Sequence, residues 1–197
     1  MCGRYIVMSD KEIEEIRNIT REIDRKYGEG SMPNGEIYPT NTAPVFVRSE
    51  SGYGAELMTW GFPKYQGSGV IINARAETAS EKRTFSGALS ARRCIIISTG
   101  FFEWTHTPGQ KKEKYLFNDP QSPLLYMAGL YSPAPAAGEL PRYVILTTAA
   151  NESMRDIHDR MPVILRQEEI GEWVSRRDFV NEVLFRVPMR LGKRFVG

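Results

Sequence analysis

The strongest constraint on this chain is a succession of short apolar runs, each closed by turn residues. Ala43 to Arg48, Glu56 to Trp60, Gly67 to Asn73, Cys94 to Ser98, Gly100 to Thr105, Lys114 to Asn118, Leu124 to Tyr131 and Tyr143 to Thr148 all have this form. Runs of this length, bounded by Gly, Pro, Asn and Ser, predict strands rather than helices. Residues 2–8 add a short strand at the start. Cys94 to Ser98 reads as a buried strand, with Gly100 to Thr105 as its antiparallel neighbour across Thr99-Gly100. The clearest helix opens at Ser9-Asp10-Lys11-Glu12, which has the form of a capping box. Ile13, Ile16, Ile19, Ile23 and Tyr27 follow at near-helical spacing, and Gly28 can end the helix. Residues 28–44 read as a long loop and Pro133 to Pro141 as a turn. The segment after Ala79 is helical up to Arg92-Arg93, Glu168 to Val174 is a short helix, and the tail from Val183 is a last strand. The pattern predicts an α+β fold: a single domain over residues 1–197, with a mostly antiparallel curved sheet or open barrel and peripheral helices.

Composition narrows the class. The chain has 197 residues, 41% hydrophobic and 25% charged, with 26 Lys and Arg against 24 Asp and Glu. Such a chain can bury a core, which excludes disorder as its main state. No apolar run approaches the roughly 18 residues of a membrane helix. Met1-Cys2-Gly3-Arg4-Tyr5 has no signal-peptide h-region. Two cysteines do not make a disulfide framework. The expectation is a soluble, reduced, cytoplasmic monomer. Arg outnumbers Lys 18 to 8, which favours phosphate or carboxylate partners, yet a net charge of +2 is far from that of a dedicated DNA binder.

Four constellations can carry chemistry. If Met1 is removed, Cys2 presents both an α-amine, of pKa about 7.7–8.0, and a thiol near about 8.5. A 1,2-aminothiol condenses with an aldehyde to an imine, and the thiol then closes a thiazolidine ring. The alternative is a small buried hydrophobe at a strand start. Glu103 sits in Gly100-Phe101-Phe102-Glu103-Trp104 on the same face as Phe101, opposite Phe102 and Trp104. Pointing inward it would be an acid/base group, and pointing outward a solvated one. His158, in Ile157-His158-Asp159-Arg160-Met161-Pro162, is the better placed of the two histidines, since His106 lies in a turn-like, exposed context. Asn73 and Arg75 share one face of an extended segment, where Asn can orient an oxygen and Arg can hold a phosphate. A zinc site from Cys2, Cys94, His106 and His158 lacks metal-ligand spacing, so no metal and no cofactor is expected. Gly-rich phosphate loops and a Ser-centred nucleophile elbow are absent.

Taken jointly the motifs are specific. Met1-Cys2-Gly3-Arg4-Tyr5, Trp60-Gly61, Asn73-Ala74-Arg75-Ala76-Glu77-Thr78, Arg93-Cys94, Gly100-Phe101-Phe102-Glu103-Trp104 and His158-Asp159-Arg160-Met161-Pro162 occur in this order. In this the chain resembles the SRAP (SOS response-associated peptidase) family of abasic-site processing proteins, from residue 1 to about 165. Pro39-Thr40, Pro44-Val45 and Thr147-Thr148-Ala149-Ala150-Asn151 are similar too. The resemblance implies binding of single-stranded DNA and covalent capture of abasic sites by the N-terminal cysteine, which shields the lesion in the DNA damage response. It implies Cys2 as nucleophile, Asn73 as positioning amide, Glu103 and His158 as the acid/base pair, and Arg4, Trp60, Arg75 and Arg160 as DNA contacts. It also implies lyase-like Schiff-base chemistry, with peptidase activity surviving as removal of Met1. A protein acting this way would join the nucleoid when bound to damaged DNA.

Three departures stand out. Ile97-Ser98-Thr99 replaces the family's Pro-Ala-Asp, Phe102 replaces its Tyr, and the stretch after Trp60-Gly61 lacks the usual Pro-x-Trp. Two rival readings remain open: a cysteine peptidase with Cys2 as thiolate and His158 as base, and a non-covalent single-stranded DNA-binding module. Arg4, Arg75 and Arg160 each lie two residues after Cys2, Asn73 and His158, so three cations would ring a pocket unless they pair with Glu77, Asp156 or Asp159.

Overall fold

The run Arg93–Ser98 is buried along its whole length, so it needs a layer on each face and a partner on each edge. The computed structural model supplies both, and describes residues 2–8, 13–105, 109 and 111–197. Its elements in chain order are β1 (Tyr5–Val7), α1 (Glu14–Tyr27), β2 (Gly35–Ile37), β3 (Thr42–Ser49), β4 (Gly52–Trp60), β5 (Phe62–Pro63), β6 (Val70–Ile71) and β7 (Asn73–Arg75). They continue with α2 (Arg83–Ala91), β8 (Arg93–Ser98), β9 (Gly100–Trp104), β10 (Lys114–Asn118), β11 (Leu125–Ser132), β12 (Arg142–Ala149), β13 (Arg160–Pro162), β14 (Ile164–Leu165), α3 (Ile170–Ser175), α4 (Phe179–Leu184) and β15 (Gly192–Phe195).

β8 pairs antiparallel with β3 on one edge and β11 on the other. β3 pairs with β4, β4 runs parallel to the start of β12, and β12 returns to β11, which closes a five-membered ring. Beyond the ring, β12 continues between β7, which runs parallel to it, and β13, which is antiparallel. A second sheet has the order β15-β10-β9-β1-β2, and β5 and β6 form a separate hairpin.

Period-2 alternation sorts the strands into two cores. Ala43, Val45, Met58, Trp60, Cys94, Ile96, Leu125, Met127, Tyr143 and Ile145 face one core, together with Cys2, Tyr5, Phe101 and Phe117 of the second sheet. Phe46, Ala55, Leu57, Ile95, Ile97, Tyr126, Ala128, Val144 and Leu146 face the other, under Ile16, Ile19 and Ile23 of α1 and Trp173 of α3. Arg93 ties the helices down. Its guanidinium donates to the carbonyls of Trp173 at 2.6 Å, Leu89 at 3.0 Å and Ser90 at 2.9 Å, which neutralises carbonyls at the end of α2.

Several expectations are corrected. Gly100–Trp104 is not the neighbour of Arg93–Ser98, because both edges of β8 are taken. β9 instead enters the second sheet between β1 and β10. The 28–44 segment is broken by β2 and by the start of β3. Val183 lies in α4, and the last strand begins only at Gly192. The short helix starts at Ile170 after a 3₁₀ turn over Gln167–Glu169. The capping-box residues Ser9 to Glu12, together with Met1 and His106, lie outside the described residues. No described helix is long and apolar enough to cross a membrane.

Ring closure depends on Gly129, which pairs with Cys94 on one side and Ile145 on the other. A Cβ there would lie 2.3 Å from Ile96 Cδ1 and 2.8 Å from the Val144 carbonyl oxygen. Overpacking of this kind costs about 1–3 kcal/mol. Gly129→Ala is therefore expected to lower unfolding stability by about that amount in urea titration, and an unchanged midpoint would contradict the closure argument.

Candidate functional site

Cys2, Asn73 and Glu103 come together where the second sheet meets β7, and the charge of Asp159, next to His158, reaches Glu103. Cys2 precedes β1 and is buried, only 1% exposed. Asn73, the first residue of β7, donates from Nδ2 to the Cys2 carbonyl at 3.1 Å. Among the described residues its buried Oδ1 has no hydrogen-bond partner. Burial pushes the Cys2 thiol well above its ordinary pKa, and the nearby Glu103 carboxylate adds to this. The thiol is therefore protonated at neutral pH.

Glu103 points inward from β9 and is 4% exposed, which settles the orientation that alternation left open. Burial raises its carboxyl above the usual range, and Asp159 raises it further. His158 follows the turn over residues 152–157, in which Ile157 N–H donates to the Met154 carbonyl, and Ala150 N–H donates to the Asp159 carbonyl across its base. Arg160 N–H donates to His158 Nδ1 at 2.9 Å. Asp159 Oδ1 stands 2.9 Å from the same Nδ1 and can receive a hydrogen there only if Arg160 N–H gives way.

The cationic residues diverge from a simple ring. Arg75 is exposed and forms no ion pair with a described residue. Arg4 stacks between Tyr38, at 4.2 Å from the ring centroid, and Trp104, at 5.0 Å. It shares Glu36 with Lys114, at 3.1 and 2.7 Å respectively, so two cations and one carboxylate leave a single net positive charge. Arg160 is paired at the surface, its side chain 12% exposed and that of Glu77 41% exposed. It makes two parallel bonds to Glu77, of 2.7 and 2.8 Å, and a third to the Thr147 carbonyl.

Trp60, expected among the DNA contacts, is fully buried and lies beneath the surface of the site. Its indole donates to the Ile72 carbonyl at 3.0 Å and stacks on Tyr143, so it carries the floor beneath β1 and β7. Gly61 follows at φ 115°, where a Cβ would meet Val70 at 2.7 Å. Two aromatics escaped the sequence reading. Trp104 lies partly exposed against Arg4, and Tyr65 is 98% exposed in the β5–β6 hairpin. Tyr65 closes Pro63-Lys64-Tyr65 in the stretch after Trp60-Gly61, which was the available signal. No group of three His, Cys, Asp or Glu side chains suited to a metal occurs among the described residues.

The sequence profile of the SOS response associated peptidase (SRAP) family matches residues 1–189. The chain belongs to the SRAP family. Abasic site processing protein YoqW of Bacillus subtilis is 35% identical over 192 residues, covering 90% of this chain and 82% of that protein. Abasic site processing protein YedK of Escherichia coli is 28% identical over 179 residues, covering 89% and 80%. A crystal structure of a protein from Bacteroides thetaiotaomicron superposes with a TM-score of 0.80 at 26% identity, over all of this chain and 92% of the other. The curled, partly ring-closed sheets described above are thus those of an SRAP-type structure.

Glu103 offers a test independent of any reaction. Its pKa is higher folded than unfolded, so the folded state holds the proton more tightly. Stability from this residue is therefore greatest at low pH and falls as pH rises through the folded pKa. Glu103→Gln should raise Tm at pH 7, and the gain should vanish near pH ~4, where the unfolded carboxyl also protonates. A lower Tm at pH 7 would show the carboxylate to be stabilising.

Proposed function

We propose that this SRAP protein binds single-stranded DNA and captures abasic sites through Cys2 after Met1 is removed. The support that carries most weight is the placement of Cys2: Asn73 holds its carbonyl, and the Glu103 carboxylate lies close enough to raise its thiol. The naming of YoqW and YedK as abasic site processing proteins agrees with this reading.

An abasic deoxyribose is mostly a closed hemiacetal. Opening it moves a proton from the anomeric hydroxyl to the ring oxygen. Glu103 in its ionised form takes the first, and His158 delivers the second. The neutral α-amine adds to the aldehyde, and the carbinolamine loses water to give an imine. The thiol then adds across the C=N bond, sulfur to carbon and hydrogen to nitrogen. One water is lost overall. The unpartnered Asn73 Oδ1 can accept from the amine as it attacks. The rate gain lies in proximity and proton transfer. The peptidase reading needs a low-pKa thiolate, and burial beside Glu103 works against one.

Wild-type protein and an oligonucleotide with one abasic site should give a heat-stable shifted band on a denaturing gel. Cys2→Ala and Nα-acetylated protein should both lose the band while still binding the strand. A band from acetylated protein would exclude the thiazolidine. Binding has its own test. Each phosphate neutralised on a single strand contributes about −0.7 to the slope of log K against log[salt]. Arg75→Ala should flatten that slope by about 0.7, equally for intact and abasic strands. Weaker binding with an unchanged slope would place Arg75 off the DNA.

A further inference from the structure

We propose that Glu36 is a positioning residue for strand binding, holding Arg4 and Tyr38 in one arrangement beside Cys2 at a cost in affinity for the strand. Its value for capture rests on the reaction proposed above. Glu36 lies on β2, at the edge of the second sheet, opposite Ile6 of β1. Its neighbour Ile37 pairs with the buried Tyr5 and faces the core, so alternation turns Glu36 and Tyr38 to the outer face. Phe102 and Trp104 of β9 and Lys114 of β10 share that face.

The carboxylate is the hub of this cluster. Arg4 Nη1 donates to Glu36 Oε2 at 3.1 Å, the Tyr38 hydroxyl donates to the same oxygen at 3.2 Å, and Lys114 Nζ donates to Oε1 at 2.7 Å. Glu36 therefore fixes both the Arg4 guanidinium and one of the two rings that clasp it, since the guanidinium lies 4.2 Å from the Tyr38 ring centroid and 5.0 Å from that of Trp104. Lys114 reaches Glu36 across β9 and β1, with its ammonium 3.9 Å from the Phe102 ring and 5.8 Å from that of Trp104. Burial alone would raise the Glu36 carboxyl, but the bonds from Lys114 and Tyr38 and the charges of Lys114 and Arg4 hold it below the usual range, so it is ionised at neutral pH.

Single-stranded DNA is held by cations on its phosphates and by aromatic faces on its bases, and this cluster offers both around Arg4, two residues after Cys2. Glu36 works against affinity, because it cancels one of the two cations. What it gives is order. Without it, Arg4 and Lys114 stand within 5.0 and 5.8 Å of the same indole ring as like charges with no anion between them. They separate, Tyr38 loses its bond, and Arg4 keeps only the face of Trp104. A strand still binds, and binds more tightly, but its phosphate no longer sets where the lesion stands against Cys2. A displacement of about 1 Å in a reacting group can slow a reaction about 100-fold.

Binding and capture should therefore move in opposite directions. In Glu36→Ala, the slope of log K against log[salt] for an intact strand should steepen by about 0.7, with tighter binding at low salt. Adduct formation on an abasic oligonucleotide, measured with the strand saturating, should slow about tenfold or more. Glu36→Gln removes the same charge but keeps an oxygen for Arg4 or Tyr38. Its slope should match that of Glu36→Ala, and its capture rate should lie closer to wild type. Partly exposed ion pairs add little to stability, so both variants should fold. The DNA-free protein gives a second readout. Arg4 Nε is buried, so in ¹H–¹⁵N spectra its hydrogen should exchange slowly with water in wild type, and about tenfold or more faster in Glu36→Ala. Equal capture rates at saturation in wild type and Glu36→Ala overturn the proposal and leave Glu36 a charge alone. So does slower capture that comes with weaker strand binding. Faster Arg4 exchange in a protein forming no adduct would refute the proposed reaction and leave the positioning intact.

Discussion

Closure of the five-strand ring is the constraint on which the rest of the structure depends. A strand such as β8 can be apolar on both faces only if both edges are paired and both faces covered. Closure meets the first demand, and it also forces β12 to run past the ring, where β7 and β13 attach to its edges. Asn73 is thereby held at the start of one short strand and His158 two residues ahead of another, and neither strand could stand alone. Gly129 lets the ring close because two partners approach its backbone where no side chain fits.

The second sheet brings the other half of the site. Cys2 lies three residues ahead of β1, and β9 carries Glu103, with Gly100 lying where a Cβ would be 2.6 Å from the Phe117 carbonyl. Placing a carboxyl and a thiol together away from water works against ionisation of both. The cost falls on stability, and both groups hold their protons to a higher pH than they would in water. Floor residues share the load: Trp60 and Tyr143 stack beneath Tyr5, and the Tyr5 and Tyr143 hydroxyls bond each other in the core. Trp60 thus contributes to the site without reaching its surface.

Much of the site was legible in the residues because the chemistry is specific. An aminothiol, a carboxyl in an aromatic strand, a histidine beside a Met-Pro pair and an amide near an arginine are few enough to name from a linear text. Arg160 and Trp60 were less legible, because type and spacing carry no information on depth. An arginine two residues from a histidine can face solvent or a carboxylate. Here Glu77 lies 83 positions away and meets it only because β12 stands between their strands. Arg75, with the same offset from Asn73, has no such carboxylate among the described residues and stays exposed.

The amino-acid sequence by itself determined the short strands, the amphipathic α1, the α+β class and the family, since these follow from local periodicity and from ordered motifs. Sheet membership was decided only in three dimensions. Gly100–Trp104 is as good a partner for Arg93–Ser98 as β11 is, judged on local pattern, and the choice falls to β11 because the ring must close and β8 has only two edges. The C-terminal segment shows the same division. Its apolar residues suggested a strand from Val183, yet burial of Val183 and Leu184 in the core under α3 favours a helix there, and the strand forms later, where β10 offers a free edge. Partner choice is a property of which edges and faces remain unoccupied, and no single stretch of chain contains that information.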